Sequence, residues 1–185
     1  RIYEQVVIGG VGLFYSGKDT NVSRISFANY IGTLDLNKNW PGIQGIGFSI
    51  PVKAKDLKIH EKNIQSEGFP NFKIRPIGKR NEYSSIIYLE PFDWRNKRAH
   101  GYDMWSNEMR RSAMARARDD GEAATSGIIT LVQETSEDIQ KGFLTYLPVY
   151  KTKQTPKDTK ERQKYFVGWV YAAFRADDLM KGIIG

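Results

Sequence analysis

Few residues of this 185-residue chain have the type and spacing that catalysis or metal binding requires. His60 and His100 are its two histidines, and neither has a second ligand at a spacing typical of metal sites. The chain has no cysteine, which excludes disulfides, thiolate metal sites and a cysteine nucleophile. The G-x-S-x-G elbow of serine hydrolases is also missing from the sequence. We therefore expect no catalytic activity, no bound metal and no other cofactor.

Two short motifs look like catalytic or phosphate-binding sequences, but local structure explains both. The glycines of residues 9–12 do not follow a predicted strand and lack the lysine and hydroxyl residue of a phosphate loop. They favour close packing of a helix instead. Asp119 and Asp120 fall where a predicted helix stops at Gly121, so capping and turn chemistry account for them.

The chain carries a formal net charge of +7. Such a balance fits a well-solvated surface, an acidic ligand, an anionic membrane face or nucleic acid. No helix-turn-helix pattern, aromatic RNP motif or zinc finger supports nucleic-acid binding, which we do not expect. No apolar run approaches the roughly 20 residues of a membrane helix. Because the first residue is Arg1 and the last residues begin an apolar helix, we interpret the chain as part of a longer protein.

Turn signals and hydrophobic periodicity divide the chain into helices and strands. Residues 1–40 form a predicted N-terminal helical segment, and Pro41-Gly42 separates it from a second segment, 41–185. The last three predicted strands follow one another without helices, which indicates an α+β fold rather than βαβ units. We expect one antiparallel sheet of about five or six strands, with helices on one side and the N-terminal helices packed before it. The predicted strands are 43–52, 72–77, 83–90, 128–133, 143–150 and 165–174; helices are predicted at 1–15, 23–36, 54–67, 108–120 and from 177.

An ordered series of short motifs resembles the CHASE family of receptor sensor domains. The resemblance covers nearly the whole chain, and its specificity comes from the order of the motifs rather than from any one of them. The matching residues are Val22-Ser23-Arg24, Phe27, 41–47, Gly68-Phe69-Pro70-Asn71-Phe72, Tyr83, Tyr88-Leu89-Glu90-Pro91, Gly101-Tyr102-Asp103, Ser106, Arg116-Ala117, Asp120-Gly121, Pro148-Val149-Tyr150-Lys151, Gly168-Trp169-Val170 and Ala173-Phe174.

This resemblance implies a fold, a location and a role. The expected fold is a PAS-like antiparallel sheet with flanking helices, spanning 41–185 of a single CHASE domain. The domain is expected to lie on the periplasmic side of an inner-membrane receptor, between two membrane helices absent from this sequence, and to act within a homodimer. It is expected to sense a small molecule for a histidine kinase or diguanylate cyclase and not to be an enzyme itself. The alternative is a ligand-free dimerisation or protein-interaction module of the same receptor class.

The resemblance also places a ligand pocket around Arg110. In the plant cytokinin receptors of this family, an aspartate early in the helix after the Gly-Tyr-Asp-type loop holds the ligand's adenine edge. Arg110 stands at that position here. An arginine only donates hydrogen bonds, through a planar fork suited to carboxylate or phosphate, so an anionic ligand is expected. The alternatives are a solvated Arg110 or one paired with Glu108 or Asp103.

The remaining pocket residues come partly from the resemblance and partly from spacing. The family's pocket positions correspond to Met104, Val132, Tyr146 and Trp169, and helical spacing puts Met114 on the same face as Arg110. Tyr146 is larger than the hydroxyl residue of the plant receptors, so either the pocket is smaller or the tyrosine hydroxyl bonds the ligand. Ala172 should lie opposite Trp169 by strand alternation and is left out. With Tyr88 and Trp105 added from a flanking strand and loop, the predicted ligand-binding set is Tyr88, Met104, Trp105, Arg110, Met114, Val132, Tyr146 and Trp169.

Overall fold

A computed structural model describes residues 2–134, 136 and 139–184 of the chain. Its helices and strands follow the predicted order closely. The helices are α1 (Ile2–Ser16), α2 (Arg24–Leu34), α3 (Leu36–Asn39), α4 (Leu57–Ser66), α5 (Glu108–Asp120), α6 (Thr159–Tyr165) and α7 (Ala176–Ile184). The strands are β1 (Ile43–Lys53), β2 (Glu82–Glu90), β3 (Ala124–Thr125), β4 (Ile129–Thr130), β5 (Lys141–Tyr150) and β6 (Phe166–Arg175).

The described strands form one six-stranded sheet in which every pairing is antiparallel. The strand order is β2-β1-β6-β5-β3, and β4 also pairs with β5. This confirms the predicted α+β class and its antiparallel sheet with flanking helices. The strand predicted at 72–77 is wrong, because this segment makes only an isolated bridge between Arg75 and Tyr102. Phe72 and Ile74 are both buried, as their alternating spacing predicts. They pack in a separate hydrophobic cluster rather than on a strand of the sheet.

Side chains of β6 alternate between two hydrophobic cores, one on each face of the sheet. Val170 and Ala172 belong to the core that α1 and α2 cover. Trp169 and Tyr171 belong to the core that α5 covers. The helices therefore lie on both faces of the sheet, with the N-terminal helices α1 and α2 on one face and α5 on the other. The same alternation confirms that Ala172 lies opposite Trp169.

The ends of α5 are fixed by local chemistry, and its two boundaries agree with the prediction. The Asn107 side chain accepts a hydrogen bond from the Arg110 backbone N–H at 3.1 Å, which caps the first turn. Gly121 ends the helix in the left-handed conformation at φ +76°. Between these caps, Arg110, Ala113, Met114 and Ala117 are buried at three- and four-residue spacing. The helix therefore presents one face, including Arg110, to the sheet.

The segment 99–103 lies in the connection between β2 and α5 and is held by a buried carboxylate. Asp103 is fully buried and accepts hydrogen bonds from the Ser84 backbone N–H at 2.8 Å and the Trp105 backbone N–H at 3.1 Å. Gly101 has φ +81°, and a Cβ there would lie 2.5 Å from the Lys73 carbonyl oxygen. Only glycine allows this close approach to Lys73, and the approach sets the positions of the residues on either side of Gly101.

Candidate functional site

A small cavity lies between α5 and the sheet face that it covers. Its volume is about 10 Å³, which is room for about one water molecule. Both apolar and polar side chains surround it, and they come from β2, the segment 99–104, α5, the segment 131–133, β5 and β6. The lining residues are Ile86, Ala99, Tyr102, Met104, Arg110, Leu131, Val132, Gln133, Leu144 and Tyr171.

Among the described residues, Arg110 is the one charged side chain that lines this cavity, and it is only 5% exposed. Its Nη2 donates to the Thr130 carbonyl oxygen at 3.1 Å, and its Nη1 contacts the Tyr102 hydroxyl at 3.4 Å. The guanidinium also lies 5.2 Å from the centre of the Tyr102 ring. No carboxylate within the described residues pairs with Arg110, because Asp103 lies against Arg80 instead, with 2.9 Å between Oδ2 and Nε. Arg110 is thus buried and hydrogen-bonded to neutral oxygens only.

Two tyrosines add buried hydroxyl groups to the same region. The Tyr171 hydroxyl has no hydrogen-bond partner among the residues that the structure describes. The Tyr146 hydroxyl donates to the Met104 sulfur at 3.5 Å. Burial raises the pKa of both tyrosines, and the nearby Arg110 charge partly opposes this rise. Both phenols are therefore neutral at pH 7 and can donate hydrogen bonds.

Seven of the eight predicted site residues lie on the α5 face of the sheet. Met104, Arg110 and Val132 line the cavity itself. Tyr88 is on the opposite face, where its hydroxyl donates to the Val22 carbonyl oxygen at 2.8 Å. The structure therefore does not bring Tyr88 together with the others. The remaining four, Trp105, Met114, Tyr146 and Trp169, pack in the core beneath α5.

The site around Arg110 also includes residues that the sequence-based prediction left out. Tyr102 belongs to the Gly-Tyr-Asp motif, and its position beside Arg110 follows from the hydrogen bonds that fix Gly101 and Asp103. Tyr171 is two residues after Trp169 in β6, so strand alternation alone places both on one face. Leu131 and Gln133 follow β4, a strand of only two residues. A strand this short gives no periodicity from which they could be identified.

A chain of ion pairs connects the cavity wall to helix α7. Glu134 follows Gln133 directly, and its Oε1 lies 3.0 Å from the Arg175 Nε at the end of β6. The Arg175 Nη1 lies 2.6 Å from the Asp178 Oδ2 in the first turn of α7. Gln140 adds a reciprocal pair with Asp178, from Nε2 to Oδ1 at 2.9 Å and from the Asp178 backbone N–H to Oε1 at 3.1 Å. Movement of 131–134 would therefore act on α7 through short polar contacts.

The comparisons with known proteins agree with this architecture. No helix within the described residues is both long and apolar enough to cross a lipid bilayer. No curated protein matches the chain. A family model of the CHASE domain matches residues 20–185, which is nearly the whole chain. CHASE domains are extracellular sensory domains of receptors. The chain therefore belongs to the CHASE domain family.

Proposed function

We propose that this domain is the sensory input of a transmembrane receptor and binds a small anionic molecule beneath α5. The observation that carries this proposal is the buried Arg110 guanidinium, which lines the cavity without a carboxylate partner in the part of the chain that the structure describes. Burying a cation without a counter-charge is costly, because neutral hydrogen bonds replace only part of its hydration. An anionic ligand would supply the missing charge.

The polar groups around the cavity suit an anion with several acceptor oxygens. Arg110 offers a planar fork that matches carboxylate and phosphate geometry. The unpaired Tyr171 hydroxyl is a neutral donor on the same lining. A carboxylate or phosphate that accepts from both would satisfy a buried charge and a buried hydroxyl together. A neutral ligand of the same shape would leave the charge uncompensated.

Ligand binding requires the cavity to open, since about 10 Å³ is far below the size of a small molecule. One contact between α5 and the residue next to the cavity wall is the hydrogen bond from Arg110 Nη2 to the Thr130 carbonyl oxygen. An anion that accepts hydrogen bonds from Arg110 would replace the bond to Thr130. The segment 131–133 would then move away from α5 and make room for the ligand.

Such a movement gives the ligand a means of signalling. A ligand shifts an equilibrium only by its preference for one conformation over another. The open cavity would bind the anion better than the closed one, and Glu134 would carry the displacement to Arg175 and α7. In the full receptor, α7 would continue toward the membrane and an output module of the histidine kinase or diguanylate cyclase type.

Helices α1 and α7 both contact the turn at 40–42, which fits a role in transmission. The Tyr3 hydroxyl donates to the Pro41 carbonyl oxygen at 3.1 Å, and its ring lies 5.7 Å from that of Trp40. A Cβ on Gly42 would lie 2.4 Å from the Leu179 Cα, so α7 passes directly over the same turn. A shift of α7 would therefore change its position relative to α1. We propose that both helices lead to membrane helices of a homodimeric, periplasmic sensor.

A ligand-free dimerisation module is the second candidate, and two observations favour it. The cavity is nearly closed, and α7 exposes Met180, Ile183 and Ile184. An apolar surface of this kind is typical of helix pairing between subunits. Under this alternative, anions would have no specific effect on the domain.

A thermal-shift comparison separates the two candidates. We expect at least one small carboxylate or phosphate from a defined panel to raise the melting temperature, while its neutral amide or ester does not. Binding at a hundredfold excess over Kd adds about 2.7 kcal/mol, which corresponds to about 5–10 °C for a domain of this size. If the anions and their neutral counterparts shift the melting temperature equally, or none does, the proposal of an anionic ligand is contradicted.

A further inference from the structure

A groove of about 520 Å³ lies outside the cavity beneath α5, on the surface formed by the segments 68–75 and 92–100. Its volume is within the range of small-molecule sites. The groove and the inner cavity share no lining residue, although His100 in the groove follows Ala99 in the cavity. The groove is therefore a separate candidate site.

Aromatic rings in mutual contact line this groove. The His100 ring lies 4.7 Å from that of Phe69, 4.8 Å from that of Phe72 and 5.3 Å from that of Phe92, measured between ring centres. Phe69 and Phe92 also contact each other edge to face at 5.8 Å. Edge-to-face packing of this kind fixes the ring orientations. The groove thus has a preformed aromatic lining.

The charged side chains that line the groove are all cationic. They are Lys73, Arg75 and Lys97, and no lining residue is acidic. The Arg75 guanidinium is held in place by the carbonyl oxygens of Arg98 and His100, at 3.1 and 2.8 Å. The Lys97 ammonium lies 5.6 Å from the centre of the Phe92 ring. Positive charge therefore borders an aromatic surface.

His100 itself contributes no charge to the groove at neutral pH. Burial, together with the positive charges of Arg24 and Arg75, lowers its pKa to about 4, although a backbone hydrogen bond at Ile87 and the charge of Glu67 act in the opposite direction. A neutral imidazole packs against phenyl rings without the cost of burying a charge. The positive field of the groove thus comes from exposed side chains next to the aromatic lining.

We propose that this groove is a second ligand site, which takes a small organic anion with an aromatic body. The ring system would lie against Phe69, Phe92 and His100, and the acid group would face Lys73 and Lys97. The aromatic lining complements the ring system of such a molecule, and the positive charges complement its acid group. The site is independent of the proposed anion site at Arg110.

The test uses the fluorescent probe 8-anilinonaphthalene-1-sulfonate, which has an aromatic body and one negative charge. We expect saturable binding to the folded wild-type chain. The double variant Lys73→Gln/Lys97→Gln should weaken it about 3- to 10-fold, because each exposed charge contributes only modestly to binding. The matched control Lys151→Gln/Lys160→Gln, which removes two exposed charges elsewhere, should leave the affinity unchanged. Equal losses in both double variants, or no saturable binding, would overturn the proposal.

Four further experiments separate the contributions to probe binding. The uncharged probe N-phenyl-1-naphthylamine should bind more weakly and respond little to the lysine changes. Phe92→Ala should weaken both probes, since it removes part of the aromatic lining that both use. Arg110→Ala should change neither, so failure of the proposed cavity function and failure of this site are distinguishable. Displacement of the charged probe by a glutamate-rich peptide but not by naphthoate would overturn the assignment to a small molecule.

Discussion

Replacing Arg110 by alanine is expected to weaken binding of the stabilising carboxylate or phosphate about 10- to 150-fold. A charge-assisted fork to a partly buried anion typically contributes about 1.5–3 kcal/mol, which corresponds to this range. The domain should remain folded, because the change leaves behind no carboxylate partner of Arg110 among residues 2–134, 136 and 139–184. Calorimetric titration of both proteins with the same anion measures the ratio.

Two further variants show whether the geometry of the guanidinium or only its charge matters. Arg110→Lys should recover only part of the lost affinity, because one ammonium cannot reproduce two parallel hydrogen bonds. Arg116→Ala is the matched control, since Arg116 is an exposed arginine on the same helix. Equal affinities for Arg110→Ala and wild type would show that the ligand does not use this residue.

The Asp103→Ala variant is expected to lose about 3–5 kcal/mol of unfolding free energy. The Asp103 carboxylate is fully buried and accepts from the Ser84 backbone, the Ser84 hydroxyl and the Trp105 backbone. Its second oxygen lies 2.9 Å from the Arg80 Nε, close to the opposite charge but without the alignment of a hydrogen bond. Removing the carboxylate leaves buried donors without acceptors, which is among the most costly single changes.

Urea denaturation of wild type, Asp103→Ala and two comparison variants measures this effect. Asp103→Asn keeps one acceptor oxygen and should lose less stability than Asp103→Ala. Asp120→Ala alters an exposed residue at the end of α5 and should stay within about 0.5 kcal/mol of wild type. A loss below about 1 kcal/mol for Asp103→Ala would mean that the hydrogen bonds to Asp103 do not hold the 99–106 segment.

The sequence was most informative where chemistry is local. Helix α5 was predicted with its correct boundaries, because Asn107 and Gly121 are residues whose side chain or backbone conformation ends a helix. The assignment of Trp169 and Ala172 to opposite faces also followed from the two-residue period of a strand. The order of helices and strands and the family resemblance together gave the antiparallel sheet.

The secondary-structure prediction failed where a hydrophobic pattern shows that a side chain is buried but not what it packs against. The alternation of Phe72 and Ile74 signalled two inward side chains, but these pack against Val52 and Tyr83 without a neighbouring strand to pair with. Helix α6 (Thr159–Tyr165) begins in the connection between the strands predicted at 143–150 and 165–174, where no helix was predicted. The signal for it was Asp158, whose side chain accepts from the Glu161 backbone N–H at 2.9 Å.

The site was only partly predictable for a similar reason. Tyr88 was included because it lies on a strand next to the predicted pocket residues. Its ring instead packs against Phe27 and Phe48 on the other face of the sheet. Nothing in a single strand tells which face of the sheet a helix will cover. The closed volume of the cavity also depends on how 131–133 packs against α5, and such packing has no sequence motif.

Hydrogen–deuterium exchange with and without the stabilising anion tests most directly whether the ligand acts through the cavity on α7. We predict that the anion changes exchange at 126–134 and at 175–184, while α4 is unaffected. Both changes should disappear in Arg110→Ala at the same anion concentration. Exchange that changes only at 68–75 and 97–100, or equally in wild type and Arg110→Ala, would contradict the account, because the anion would then bind elsewhere.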